Sequence, residues 1–386
     1  RRDLERAMSA LAGGGVDDAA APASAPSRVR VSRLAESRPY ATPEAPRGPM
    51  TPPCTAPGRG IEAETFEGAY EFTGLVLGTG AGGDVRGAVC RRTGRAVAVK
   101  SFVKGDLSAT GKANLRRELE LQMATSHPSI VRCEAVFETD ADANIVMEQL
   151  RGGDLFDRVA ASKRLTEAEA ASVAVQVLRA VGHLHERRIV HRDIKPENFV
   201  YVQQGGECLK LIDFGFATRL EAGRKLWQRC GTLQYTAPEV LSGVGYDERC
   251  DMWSVGAMLY AVLVGKTLYG GTQDEVFAKN SQGTIEWSRS FKKLSREARD
   301  FVLGLLTVDV DKRRTAKQAL RHPWLREVPH AATLVKEKGA SPRGGCPPEA
   351  EVVEARAGEA RPGLAERARS GSGSEPEPEL PPWAAG

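Results

Sequence analysis

Along the middle of this 386-residue chain, apolar and polar positions alternate with two different periods, while the ends show almost no periodicity. Residues 72–77 and 85–89 read as two strands joined by a glycine-rich turn. Residues 96–100 form a short apolar strand closing on a cation, and 144–147 form another strand. Residues 114–126 are charged and helix-favouring and stop at His127-Pro128, because the residue before a proline is driven out of the helical region. Residues 166–187 repeat apolar side chains at helical spacing, and Thr166 with Glu169 predicts a capping box at the start. The longest apolar stretch, 255–265, falls far below the ~20 residues of a membrane span, so it reads as a buried helix and no membrane association is expected.

Composition divides the chain into three. Residues 1–69 are rich in Ala, Pro, Arg and Ser, and 329–386 in Pro, Gly, Ala, Glu and Arg. Such segments bury too little apolar surface to offset chain entropy, so both are expected to be disordered. Residues 70–328 should form one folded unit of two lobes: 70–147 the small lobe, 148–154 a hinge, 155–328 the large lobe. The net charge is only +4, with acidic and basic residues interspersed and no basic stripe, which argues against nucleic acid as a partner. Seven scattered cysteines without Cys-x-x-Cys spacing suggest reduced thiols and an intracellular, cytoplasmic protein. The Ala/Arg/Ser-rich start also fits the remnant of a transit peptide, although Asp3, Glu5, Asp17 and Asp18 count against it.

Chemistry concentrates in two short runs. His191-Arg192-Asp193-Ile194-Lys195-Pro196-Glu197-Asn198 is followed closely by Asp213-Phe214-Gly215. Moving a phosphoryl group needs a carboxylate to accept a hydroxyl proton, a cation on the phosphate and oxygen ligands for Mg2+. Asp193, Lys195, Asn198 and Asp213 supply that set. Upstream, Gly78-Thr79-Gly80-Ala81-Gly82-Gly83 and Val85 let a backbone approach phosphate oxygens without Cβ clashes, although the run alone also fits an ordinary glycine hairpin. A strand after it, where a dinucleotide-binding fold would place a helix, points away from that fold. Two metal readings fail on residue types. Asp140, Asp142 and Asn144 imitate a calcium loop but Ile145 stands where its glycine belongs, and no thiolate or carboxylate completes a set with His183, His185 and His191.

Together these motifs resemble the eukaryotic serine/threonine protein kinases: the H-R-D-x-x-x-x-N loop, D-F-G, G-x-G-x-x-G-x-V, and a strand ending in Lys100 like their V-A-I-K. The likeness extends through Ala237-Pro238-Glu239 and Asp251-Met252-Trp253-Ser254-Val255-Gly256 to His322-Pro323-Trp324. Gly153-Asp154-Leu155-Phe156, Lys195-Pro196-Glu197-Asn198 and Leu306-Thr307-Val308-Asp309 are most similar to the calcium/calmodulin-dependent and calcium-dependent group. The resemblance implies an α+β fold with a small antiparallel sheet lobe and a larger helical lobe, with ATP and Mg2+ as cofactors. Asp193 would be the base, Lys195 would stabilise the moving phosphoryl, and Asn198 and Asp213 would hold the metal. Lys100 would hold phosphates, fixed by Glu118 in preference to Glu120. Met147 would stand as gatekeeper, the main chain of Glu148 to Leu150 would meet the adenine, and Asp154 would sit near the ribose. Ala98, Glu197 and Val200 complete the implied nucleotide-binding set. Asp154 and Glu197 beside the groove imply Ser/Thr protein substrates with Arg three residues before the acceptor, and the unit is expected to be a monomer. Calmodulin is an implied partner, although the tail holds no long basic amphipathic helix and no EF-hand array follows Val328.

The chain departs from the pattern at several places. Between Arg219 and Cys230 there is no Ser, Thr or Tyr to be phosphorylated, so Glu221 is expected to face Arg192 instead, with Thr218 and Thr232 as poorer candidates. Leu233 replaces a usual proline, 265–271 lack a Pro-Pro-Phe, and Gln122 falls where an apolar spine residue is usual. A pseudokinase scaffold and a small-molecule phosphotransferase are the competing readings. The first rests on Gln122 and the altered groove, and the second is opposed by Ala237-Pro238-Glu239, which shapes a peptide groove.

Overall fold

The computed structural model describes residues 30–32, 65–78 and 83–326. Thr79, Gly80, Ala81 and Gly82, and nearly all of both terminal regions, lie outside the described residues. A short strand, β1 (Arg30–Ser32), comes from within the region expected to be disordered. The small lobe is an antiparallel sheet of β2 (Tyr70–Gly78), β3 (Asp84–Cys90), β4 (Ala96–Val103), β5 (Cys133–Glu138) and β6 (Asp142–Glu148), in the order β5-β6-β4-β3-β2, with β1 added at the β5 edge. Helix α1 (Phe66–Ala69) opens the lobe just before residue 70, and its Phe66 ring packs against Tyr70, Phe72 and Phe137.

The central strands are apolar on nearly every residue because both faces are covered. Val97, Val99 and Val146 face one cluster with Phe66 and Tyr70. Phe102, Ile145 and Met147 face the other, with Leu115 and Leu119 of helix α2 (Ala109–Ala124). The period of two therefore turns Lys100 toward α2. The helix begins ahead of the expected 114, since Ser108 caps it by accepting a bond from the Gly111 amide at 3.1 Å. That start is hard to read in the sequence, because Thr110 and Gly111 in the first turn are poor helix formers.

The large lobe gathers helices α3 (Leu155–Ser162), α4 (Glu167–Glu186), α5 (Pro238–Ser242), α6 (Arg249–Val264), α7 (Gln273–Ser281), α8 (Arg289–Lys292), α9 (Arg296–Leu305), α10 (Ala316–Ala319) and α11 (Pro323–Arg326). Two small ribbons carry the site: β7 (Ile189–Val190) with β10 (Thr218–Arg219), and β8 (Phe199–Tyr201) with β9 (Leu209–Leu211). Helix α6 is buried on all sides from Cys250 to Val264, as a helix apolar all round must be. Glu239 in neighbouring α5 is clamped by Arg313 through two guanidinium bonds, at 2.5 and 2.9 Å. The expected capping box of α4 is present, with Thr166 and Glu169 exchanging bonds across the first turn. Thr166→Ala should therefore lower unfolding stability by about 1 kcal/mol without changing the substrate KM, measured by urea denaturation alongside peptide assays.

Candidate active site

Register places the first cluster. Lys100 on β4 lies opposite Ile145 on one side and Val85 on the other, and Ala98 lies opposite Met147. Lys100 Nζ lies 2.6 Å from Glu118 Oε1 and 2.9 Å from Asp213 Oδ1, so one buried ammonium joins the sheet, α2 and the Asp213-Phe214-Gly215 turn. Glu120, its rival, is exposed. Burial alone would lower the Lys100 ammonium's pKa, but Asp213 and Glu118 outweigh it and raise it above its ordinary value. Burial would likewise raise the Asp213 carboxyl, yet Lys100 prevails and holds it at about 2. Burial pushes the Glu118 carboxyl up against the pull of Lys100. Lys100 and Asp213 thus remain charged across the neutral range.

Asp193 sits on the loop between β7 and β8, held from behind. Asp251 Oδ2 accepts the His191 amide at 2.8 Å, and Asp251 Oδ1 accepts the Arg192 amide at 2.7 Å, which fixes Arg192 in a left-handed turn at φ 69°. His185 Nε2 lies 2.9 Å from the same carboxylate. His191 Nε2 meets the Asp213 carbonyl at 2.5 Å, and its ring packs edge-on against buried Phe214. In front, Lys195 Nζ lies 3.1 Å from Asp193 Oδ2, and Asn198 Nδ2 donates to the Asp193 carbonyl at 2.8 Å and to Oδ2 at 3.2 Å. Asn198 therefore turns its oxygen the other way. The Ile212 amide donates to the Asn198 carbonyl at 3.0 Å, so the β8–β9 ribbon sets Asn198 beside Asp213.

The residues present suit Mg2+ with bound ATP. Asn198 Oδ1 and the second Asp213 oxygen are hard oxygen donors left over after the contacts above, and one of them carries full charge. Gly78 and Val85 pair across the mouth of the glycine turn, and Gly83 holds φ 104° where a Cβ would collide with the Ser101 carbonyl. The β4–β6 ladder ends at Val97–Glu148, leaving the main chain of Gln149 and Leu150 outside the sheet. The Glu148 side chain is itself engaged, accepting from the Arg132 amide and Lys210 Nζ. Asp154 caps α3 by accepting from the Asp157 amide at 2.7 Å and forms a bridge with Val200. Glu197 lies close to Asp154 and Asp193, with Oε2 buried and without a partner among the described residues. Burial raises its carboxyl's pKa, with Asp193 and Asp154 adding to the rise against the pull of Lys195.

Thr232, offered by the sequence only as a poor candidate to serve Arg192, instead touches Asp193, a contact the sequence reading missed. Its Oγ1 donates to Asp193 Oδ1 at 2.7 Å and accepts from Lys195 Nζ at 3.0 Å, closing a triangle around the carboxylate. The signal was Gly231 before it: at φ 98°, any Cβ there would collide with the Arg192 carbonyl. Asn280 of α7 fixes the same loop by donating to the Leu233 and Thr236 carbonyls. The expectation for Glu221 requires correction: it pairs at the surface with Arg224, and Arg192 meets Gln228 instead, because the segment brings the Gln228 amide oxygen back to the guanidinium. Gln122 is buried and directs Nε2 at the Met147 sulfur, 3.9 Å away. Leu268 and Tyr269 fill the core where the Pro-Pro-Phe is missing.

Residues 72–325 match the family model described as the protein kinase domain, and the chain belongs to that family. It is 39% identical over 269 residues to the death-associated protein kinase dapk-1 of Caenorhabditis elegans, covering 68% of this chain and 19% of that one. Myosin light chain kinase A of Dictyostelium discoideum is 36% identical over 263 residues, covering 67% of this chain and 89% of the relative. Calcium-dependent protein kinase 4 of Plasmodium berghei is 34% identical over 276 residues, covering 70% and 52%. The chain thus spans about a fifth of the first relative and half of the third. Protein kinases use ATP and Mg2+, which agrees with the donor set described above. Among the described residues no helix is long and apolar enough to cross a membrane.

Proposed function

We propose that this chain is an ATP-dependent protein serine/threonine kinase. The observation that carries the reading is the convergence of Lys195, Asn198 and Thr232 around the Asp193 carboxylate, with Lys100 paired to Glu118 and Asp213 beside them. Asp193 orients the substrate hydroxyl and takes its proton, and Lys195 neutralises charge on the phosphoryl as it moves. Lys100, held by Glu118, binds the nucleotide phosphates, and the glycine turn, Ala98, Met147, Leu150 and Val200 enclose the nucleotide. Mg2+ held by Asn198 and Asp213 supplies neutralisation of the phosphate charge when bound. The scaffold reading rests on Gln122 and the altered groove, but the Gln122 amide sits against Met147 while the Lys100–Glu118 pair stays closed, and Leu268 and Tyr269 pack into the core at the altered stretch.

The substrates in this reading are proteins with Arg three residues before the acceptor, met by a monomeric catalytic unit. Its support is the buried, unpartnered Glu197 Oε2 near Asp154, an acceptor that suits a donor from outside the chain. Calmodulin enters only through the resemblance to its kinase group. The test is Mg2+-dependent transfer of labelled phosphate from ATP to an Arg-x-x-Ser peptide, with an Ala-x-x-Ser peptide for comparison. Transfer should stop when EDTA removes the metal. Glu197→Gln should raise KM for the Arg peptide by about tenfold, the size of one lost charge-assisted bond, and leave the Ala peptide unchanged. Equal KM values for both peptides in the parent would remove the basic-directed reading, and absence of transfer would remove the kinase reading.

A further inference from the structure

Arg192 carries a buried guanidinium whose hydrogen-bond partners are all neutral. Nε donates to the Phe216 carbonyl at 2.7 Å, and Nη1 to Gln228 Oε1 and to the Tyr246 hydroxyl, both at 3.3 Å. Tyr246 in turn donates to the Gln228 carbonyl at 2.5 Å, and its backbone pairs with Leu226 in both directions. Three points of the 216–246 stretch are thereby tied to one side chain of the catalytic loop. Among the described residues no carboxylate forms an ion pair with Arg192. A second cation, Arg117 of α2, has a buried Nε without a partner there, and burial and then the Arg192 charge lower its pKa.

A buried arginine that organises a loop is most strongly held by an oxyanion, whether carboxylate or phosphate. This chain offers no hydroxyl for phosphorylation from Leu220 to Cys230. The downstream hydroxyls are engaged or buried: Thr232 serves Asp193 and Lys195, Thr236 donates to the Thr232 carbonyl, and Tyr235 lies in the core, while upstream Thr218 is half-buried in the ribbon with Val190. We infer that Gln228, with Tyr246, is a neutral latch that sets the 216–239 segment against Arg192, so that the substrate groove forms without phosphorylation of this segment. The inference deepens the kinase reading and rests on it. Gln228 is a positioning residue, acting on Asp193 through Arg192 and on the peptide through Cys230 to Thr232.

The experiment uses the full chain produced with a phosphatase, with mass spectrometry showing no phosphate on residues 216–239. The unphosphorylated chain should phosphorylate the Arg-x-x-Ser peptide at full rate. Gln228→Leu should raise peptide KM and lower kcat, for a loss of about tenfold in kcat/KM, while the KM for ATP stays the same. Gln228→Glu, with its acceptor at the same reach and a charge that suits Arg192, should restore kcat/KM to within about threefold of the parent. Gln228 is exposed, so both variants should keep the parent melting temperature and any loss can be assigned to positioning. Transfer that begins only after another kinase phosphorylates the segment, or a Leu variant indistinguishable from the parent, would overturn the latch and leave the kinase reading standing. No transfer in either phosphorylation state would remove both.

Discussion

Asp193→Asn should lower kcat for peptide phosphorylation by about a hundredfold to ten-thousandfold, the range that a positioned general base contributes. Affinity for a fluorescent ATP analogue should change little. The reason lies in what surrounds the carboxylate. Oδ1 accepts from Thr232, while Oδ2 faces two donors, Lys195 Nζ and Asn198 Nδ2. An amide can keep its oxygen toward Lys195 and Asn198 and turn its NH2 toward the Thr232 hydroxyl oxygen, so the pocket tolerates it, but it cannot take a proton. Nucleotide contacts proposed for Lys100 and Asp213 do not pass through Asp193, so binding and turnover should separate. A variant that kept more than about a tenth of the parent kcat would show that Asp193 is not the base.

Legibility in the sequence followed the origin of each constraint. That Asn198 would meet Asp193, and Lys100 would meet Asp213, was legible because their motifs carry the residue types that phosphoryl-transfer chemistry gathers in one place. The strands could be read because a sheet covered on both faces leaves apolar runs such as 96–99. Gly231 marked the close approach of its loop to Arg192 but not the bond Thr232 makes, and Gln228 had no local mark at all, since each acts on a residue far away in the chain. Glu221 illustrates the same limit from the other side. Charge complementarity alone suggested it for Arg192, but the turn at Gly223 (φ 72°) leaves it paired with Arg224 in solvent. The early start of α2 and the packing of Phe66 were hidden for a related reason: a hydroxyl cap and aromatic neighbours outweighed weak local propensity.

Asp251→Ala should destabilise the large lobe by about 3–5 kcal/mol, as expected when one member of a buried, hydrogen-bonded ionic set is removed. Its carboxylate is fully buried and receives the His191 and Arg192 amides and His185 Nε2. Alanine would strand two backbone donors in the interior and release the left-handed turn at Arg192 that aims the catalytic loop. Activity should therefore fall together with stability, unlike in the Asp193 variant, where the fold should persist. Burial alone would raise the Asp251 carboxyl's pKa, but the bond to His185 and the neighbouring amides outweigh it and hold it below its ordinary value. A carboxyl depressed in the folded state contributes stability that is present above its unfolded value, about 4, and is lost as pH falls through the lower folded value. Urea denaturation should accordingly show the parent losing stability below about pH 4 more steeply than Asp251→Asn, which has no carboxylate to protonate at this position. Parallel acid limbs in the two proteins would mean that the Asp251 charge does not support the loop, and that its hydrogen-bond geometry alone is what the fold requires.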